Sequence, residues 1–473
     1  MKKEKLPKGI IGISLILVLG ALPPMLDATI VNIAVNDLTK LFSVTFAVMQ
    51  WAVTGYTLAL GIAVPFSGWL IQKFDGKKIF MGALGLFLIS SLLSGFAWDI
   101  RSLITFRALQ GFSSGLLIPT LTTMVVRVAG AENLGRLMSI VGIPIVFGPI
   151  VGPIIGGLIM KYLTWRWLFY VNLPVGIIAL LLMQWKLPEF KATHAGARID
   201  WPGILLLGLT SGMFIFGVTR IKGADGSASG ILAIFAGAVS LLAYVLHALR
   251  LKEKALIPIK LFQSKNFSAS FISLFLAGFA TNGPMLLLPM FFQNVRGLDI
   301  ITSALWLVPQ GIGMLVARSL VGKMTDRLGA RFVVLPSIAV TITGTLPFVF
   351  FDIGTSRWLV WLILFIRGMG VGGVTIPVMS DSYVGLEQEQ VAQASVATRI
   401  IQNIGAAFGS AILATVVSSS LTGRAVTAAN MSGAYHAGFI TSLIFMVIGI
   451  IPALFLTYKT NKTDKTNKAE ITS

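Results

Sequence analysis

Asp27 stands inside an otherwise apolar stretch from Ile10 to Ala34, and Arg107 inside another from Leu103 to Arg127. An ionisable side chain in such a stretch is costly enough to signal a task. A carboxylate near a guanidinium can exchange protons. The acid releases its proton as the cation approaches and takes it back when the cation withdraws or the site dries. A fixed ion pair or a helix-end cap is the plainer reading of the same two residues. Arg107, Gln110, Gly111, Ser114 and Gly115 fall at i, i+3, i+4, i+7 and i+8, one face of a helix. That small, polar face suits a water-filled cavity and equally suits close helix packing. In the second half Asn282, Gln293, Gln402 and Asn403 are uncharged polar residues in or near apolar stretches, and Asp352 and Asp381 lie near the ends of two more. Asp381 is ~21 Å along a helix from Arg367 (14 residues), too far for direct pairing.

Other chemistries lack their residues. There is no cysteine, and His194, His247 and His436 are scattered rather than clustered for a metal. No GxxxxGK[ST] loop and no HExxH pair occurs, so no nucleotide or metal cofactor is expected. An ion gradient is the remaining energy source, worth ~2.3 kcal/mol per charge per 100 mV. The expectation is no cofactor, with the proton as coupling ion, and no enzyme activity.

The elements that hold these residues are set by hydropathy. The 473 residues are 55% hydrophobic and only 12% charged, about half the charge of a soluble domain. Apolar stretches of about 20 residues span lipid as helices, because lipid offers no partner to a free peptide group. Fourteen are expected, near 10–34, 46–71, 79–98, 103–127, 136–160, 167–186, 202–220, 229–250, 268–293, 303–322, 332–351, 358–384, 395–418 and 437–458. The basic start before the first stretch lacks a small-residue cleavage site and reads as an uncleaved first span. With the amino terminus in the cytoplasm, inner segments hold 24 of the 37 Lys and Arg and outer segments 9, with Arg107, Arg318, Arg367 and Arg399 inside spans. That bias places both termini in the cytoplasm and explains the net charge of +19 without nucleic acid.

A repeat divides the chain. Gly68 with Asp75 after span 2 recurs as Gly322 with Asp326 and Arg327 after span 10, and Arg107 recurs as Arg367. The offsets are 254 (322 − 68) and 260 (367 − 107). The expected organisation is a tail 1–9, a six-helix bundle 10–188, inserted helices 7 and 8 with their linkers 189–267, a second six-helix bundle 268–458 and a disordered tail 459–473. In span 5, Gly148, Gly152 and Gly156 repeat every four residues, with Pro149 and Pro153 beside them. That spacing permits close backbone approach and bending, a hinge or seal.

These residues resemble the major facilitator superfamily, and within it the fourteen-helix drug/proton antiporters of the multidrug, quaternary-ammonium type. The resemblance rests on Leu26-Asp27-Ala28-Thr29-Ile30-Val31-Asn32, Gln50-Trp51 through Tyr56, Arg107 to Gly111, Pro149 to Gly157, Trp165 to Pro174 and Asp200-Trp201-Pro202-Gly203. It covers essentially the whole chain. It implies an all-α membrane protein of the major facilitator fold, two six-helix bundles plus two inserted helices. It also implies proton-coupled export of small amphipathic compounds by alternating access. Asp27 and Arg107, at similar depths of ~10 Å and ~6–10 Å, would meet at a central cavity. Asn32, Gln50, Trp51, Tyr56, Gln110, Ser114, Asn282, Gln293, Gln402 and Asn403 would line it. Gly148, Pro149, Gly152, Pro153, Gly156 and Gly157 would form the contact between bundles, and Gly68, Asp75, Asp326 and Arg327 the inner gates. The first gate departs from the family pattern, with Gln72, Lys73 and Asp75 where an Asp-Arg-Gly run is usual; the second copy is intact.

The expected partners are the bilayer and small amphipathic molecules, in a monomer of a bacterial cell membrane. Few cavity carboxylates favour monocationic, zwitterionic or neutral substrates over dications. Two alternatives stay open: export of an endogenous lipid or envelope precursor, and a non-transporting membrane scaffold or sensor.

Overall fold

The computed structural model describes residues 8–458 apart from 45, 130–136, 138–142, 191, 193–199, 221–226 and 422–426. Residues 1–7 of the expected amino-terminal tail, the expected carboxy-terminal tail, most of the linker after span 6 and the start of span 5 lie outside these residues. Among the described residues the chain is helical, with no strand.

The helices are α1 (Lys8–Leu41), α2 (Phe46–Lys73), α3 (Gly76–Gly95), α4 (Ile100–Ala129), α5 (Ile143–Tyr162) and α6 (Asn172–Lys186), the last preceded by the turn Trp167–Tyr170. Then come α7 (Trp201–Arg220), α8 (Ser227–Leu251), α9 (Lys265–Asn294), α10 (Val308–Leu328) and α11 (Arg331–Thr345). α12 (Arg357–Gly372) continues after a break as Thr375–Asp381, followed by α13 (Gln388–Leu421) and α14 (Ala428–Ile448). Thirteen helices among the described residues are long and apolar enough to cross a membrane. α5, a further apolar helix of 20 residues, is the other member of the series of fourteen.

Polar caps start several of these helices. Asp75 accepts from the Lys78 amide at 3.1 Å to open α3, and Asp99 accepts from the Ser102 amide at 2.8 Å to open α4. The Ser102 amide and hydroxyl hold the Asp99 carboxyl below its usual range. Asp200 accepts from the Gly203 amide at 2.9 Å to open α7. Each satisfies an amide that a helix start leaves unpaired.

α1 runs beyond its apolar stretch. The candidate span is Ile10–Val31, close to the expected 10–34, while the helix continues to Leu41, 14 residues (41 − 27) or ~21 Å past Asp27. Hydropathy marks where lipid contact ends; the hydrogen-bonded helix runs on through Asp37, Thr39 and Lys40. The 251–267 connection is likewise not a plain loop. It folds into the 3-10 turns Lys252–Lys254 and Ile259–Gln263, with Ala255, Leu256 and Ile257 buried between them.

α1 packs on α5 and α6, α4 on α2 and α3; in the second half α13 packs on α9 and α14, and α12 on α10 and α11. α7 pairs with α8 and lies against α2 and α13, so the inserted pair bridges the halves along one side. α8 is outermost and turns Ile231, Leu232, Phe235, Leu242, Leu246 and Leu249 outward, as a lipid-facing helix does. The halves also touch at both ends. At the end where α1 begins, the Thr123 and Ser395 hydroxyls bond at 2.9 Å, and Gly68 faces Val396 so closely that a Cβ would come within 2.8 Å of it. At the opposite end Gly157 of α5 meets Ile301.

Candidate functional site

Pro23 and Pro24 interrupt α1 one turn before Asp27. Proline has no amide hydrogen, so the carbonyls four residues earlier lose their helical partners and the helix is locally free to bend. Tyr56 of α2 reaches this point and donates its hydroxyl to the Pro24 carbonyl at 3.2 Å.

Asp27 is 0% exposed and Arg107 1% exposed, and the two side chains form a direct ion pair. The carboxylate also accepts from the Gln110 amide at 3.0 Å and the Asn172 amide at 3.1 Å. The guanidinium donates to the Gln110 side-chain carbonyl at 2.8 Å and to the Ala52 backbone carbonyl at 3.3 Å. It also lies 4.2 Å from the centre of the Tyr56 ring, a cation–π contact. Ser91 of α3 accepts from both amides, at 3.1 and 3.0 Å, and donates to the Phe169 carbonyl at 2.9 Å. The α1 carboxylate is thus held by side chains of α4 and α6, whose amides are held in turn by Ser91 of α3, while α2 supplies a carbonyl and a ring to Arg107. A dry pair of this kind is stable only when its remaining donors and acceptors are satisfied; here the amides and the serine do this.

The rest of the small α4 face is packing. A Cβ on Gly111 would fall onto the Tyr56 carbonyl, and one on Gly115 onto the Leu60 carbonyl. The Ser114 and Tyr56 hydroxyls lie in hydrogen-bond contact at 2.9 Å. Tyr56, Gln110 and Ser114, expected at a water-filled cavity, are therefore buried between helices here. The physical reason is that a glycine face lets the α2 backbone pack directly against α4.

The α5 glycines also seat differently from the expectation. Gly148, Gly152 and Gly156 lie against Met25, Leu26, Thr29 and Ile30 of α1, and Thr29 donates to the Gly148 carbonyl at 2.8 Å. The row holds α1 around the Asp27 turn. Gly157, one step round the helix, is the glycine that meets the second half. The Pro149 and Pro153 side chains lie outside the described residues, as do those of Asn32, Gln50 and Asn282.

Trp51 stacks on Phe216 of α7 at 6.1 Å, joining α2 to the inserted pair. Gln402 accepts from Arg399 at 3.2 Å, the Asn403 amide nitrogen is buried without a partner, and Gln293 is half-buried. Asp75 is occupied in capping α3; Asp326 is half-buried and Arg327 exposed.

In the second half Arg367, 1% exposed, donates to Gln310 at 2.7 Å and to Thr345 at 3.2 Å. Gln310 and Thr345 each lie 254 residues after Tyr56 and Ser91 (310 − 56 and 345 − 91), so the repeat extends to the arginines' surroundings. The two halves differ in chemistry: Arg107 has a carboxylate partner, whereas the hydrogen-bond partners of Arg367 are neutral. Asp381 is buried and accepts from Ser270 at 3.1 Å and from the hydroxyl and amide of Thr457.

Ser91, Asn172 and Arg399 carry more of the site than the sequence indicated. Asn172 was visible only as part of a branch motif, and nothing distinguishes Ser91 from neighbouring serines. Arg399 carried the signal of any cation inside a span; its guanidinium donates to Gln402 on its own helix.

Comparison with known proteins agrees with this architecture. Residues 17–410 match the Major Facilitator Superfamily. The chain belongs to that family. It is 32% identical over 421 residues to the "Multidrug resistance protein B homolog" of Mycobacterium tuberculosis, covering 88% of this chain and 77% of that one. The lincomycin resistance protein LmrB of Listeria monocytogenes is 28% identical over 442 residues, covering 91% and 93%. The putative multidrug resistance protein MdtD of Escherichia coli is 29% identical over 350 residues, covering 73% of each chain. Among solved structures, the human organic anion transporter MFSD10 superimposes with a TM-score of 0.65 at 14% identity, covering 95% of this chain and 100% of that one. A double-tryptophan variant of XylE gives 0.64 at 16%, covering 96% and 97%; at these identities the likeness concerns the fold. This major facilitator protein is a multi-pass membrane transporter of the bacterial cell membrane, not an enzyme.

Proposed function

We propose that this transporter exports small amphipathic compounds in exchange for protons, with both termini in the cytoplasm. The two helical groups, α1–α6 and α9–α14, rock about their interface. The observation that carries the reading is the Asp27–Arg107 pair: a carboxylate without solvent contact, bound to a cation on a different helix.

While the pair is intact the charges neutralise each other and no proton is needed. If α1 and α4 shift, the carboxylate is left in apolar surroundings without its counter-charge, and protonation becomes the cheapest way to neutralise it. Helix movement and proton uptake are then one event, and a cationic substrate that takes the place of Arg107 would expel the proton. The Pro23–Pro24 step of α1 and the close α1–α5 contact are the parts that would move. In this scheme the contacts between the halves at either end are the ones that opening on that side would break. Resistance proteins among the relatives support a broad range of lipophilic substrates, and the scarcity of cavity carboxylates favours those with at most one positive charge.

The test is purified protein in liposomes with an imposed pH gradient, comparing monocationic and dicationic dyes. Gradient-driven efflux of the monocation is expected, together with its loss in Asp27→Asn while that variant still inserts. Wild-type efflux by Asp27→Asn would reject the coupling scheme. No movement of any dye, with accumulation of a lipid in cells lacking the protein, would favour export of an endogenous lipid.

A further inference from the structure

We propose that the junction of α7, α8, α9 and α13 binds one anionic glycerophospholipid, an acyl chain in an apolar cavity and the phosphate in a cationic recess beside it. The cavity has a volume of about 350 Å³, near the lower end of the roughly 300–1,000 Å³ of small-molecule sites. Phe214, Leu241, Phe271, Phe275, Ile400 and Phe408 are among the apolar side chains of its wall. Its polar lining residues are Thr210 and Tyr244, and both hydroxyls are already used. Thr210 donates to the Leu206 carbonyl at 2.8 Å. Tyr244 donates to the Ile257 carbonyl at 3.1 Å and accepts from the Ile257 amide at 2.7 Å. The cavity therefore selects hydrocarbon, since a polar occupant would bury groups without partners.

The second observation is what adjoins it. The 3-10 turn Ile259–Gln263 separates the cavity from a recess of about 900 Å³, and Ile259 lines both. Ile259 and Phe262 face the cavity, while Lys260 and Gln263 face the recess. Arg250, Lys252 and Lys254 complete a wall with four cations and one acid, Glu253, whose carboxylate is held by Lys260 at 2.6 Å. This wall begins where the apolar α8 ends, and clustered Lys and Arg at the end of a membrane helix attract anionic lipid. Free phosphate would use only the recess and a neutral lipid only the cavity. An anionic lipid uses both.

The site is held in shape independently of any occupant. Asp200 accepts from the Gly203 amide, from His247 at 2.7 Å and from the Leu256 amide at 3.4 Å, tying the start of α7, α8 and the linker together.

Native mass spectrometry of the purified full chain, titrated with phosphatidylglycerol or phosphatidylcholine of identical acyl chains, tests this. One retained lipid is expected, with phosphatidylglycerol bound at least tenfold more tightly. Lys252→Gln combined with Lys254→Gln should reduce phosphatidylglycerol to the phosphatidylcholine level, and Ile400→Trp should remove both. Because a cavity-filling variant can perturb packing, unmodified protein is also photolabelled with phosphatidylglycerol carrying a diazirine in one acyl chain. Labels are expected in 271–275 and 397–404. Equal affinity for the two lipids, an unchanged preference in the lysine variant, or labels confined to the outward face of α8 would each overturn the proposal.

Discussion

Removing one member of the Asp27–Arg107 pair should cost far more than removing both. In Asp27→Asn the guanidinium stays 1% exposed, keeping the Gln110 and Ala52 oxygens and the Tyr56 ring but no counter-charge. The new side chain offers one acceptor oxygen where the carboxylate served three donors from Arg107, Gln110 and Asn172. Stranding a buried charge in this way costs about 3–5 kcal/mol. Arg107→Gln strands the carboxylate and falls in the same range. The double variant leaves no buried charge, so its cost should be at least about 2 kcal/mol below the sum of the singles, within the coupling seen for directly touching pairs. The assay is reversible unfolding in mixed micelles, followed by tryptophan fluorescence for wild type, both singles and the double. Additivity within about 0.5 kcal/mol would show that the two charges do not depend on each other, and the coupling argument would fail with it.

Two further outcomes follow from close contacts. Gly111→Ala places a methyl against the Tyr56 carbonyl and should destabilise by about 1–3 kcal/mol. Gly82→Ala, into open space on α3, should instead stabilise by about 0.5–1 kcal/mol; equal unfolding midpoints for the two would contradict the packing described. Thr123→Val removes the hydroxyl bond to Ser395 between the halves, worth about 1 kcal/mol. Accessibility of a cysteine introduced beside it, at the end where α1 begins, should rise roughly fivefold, and unchanged labelling would mean that this contact does not hold that end shut.

Hydropathy in the sequence was sufficient for the helical membrane architecture. A peptide group in lipid must be bonded within its own helix, so apolar length alone specifies a span. Asp27 and Arg107 stood out for a related reason: an ionisable residue in an apolar stretch is conspicuous whatever surrounds it. The duplicated landmarks at 254 and 260 residues were likewise visible in one dimension.

Only the tertiary structure determined what those residues touch. Asn172 becomes a partner of Asp27, and Ser91 a partner of the two amides that hold it, because α6 and α3 bring them there from 145 and 64 (91 − 27) residues away, and nothing in their local sequence records that distance. The α4 glycines face Tyr56 and Leu60, and the α5 glycines face α1, because helix orientation is settled by how closely two backbones can approach. Spacing indicates that a face is small; it does not name the helix that fills it. The extension of α1 beyond Ala34 has the same origin, since polar residues past the apolar stretch can continue a helix that hydropathy has already ended. The cavity beneath α7 and α8 is the clearest case: its walls come from four helices and a linker, and only their packing brings these residues together.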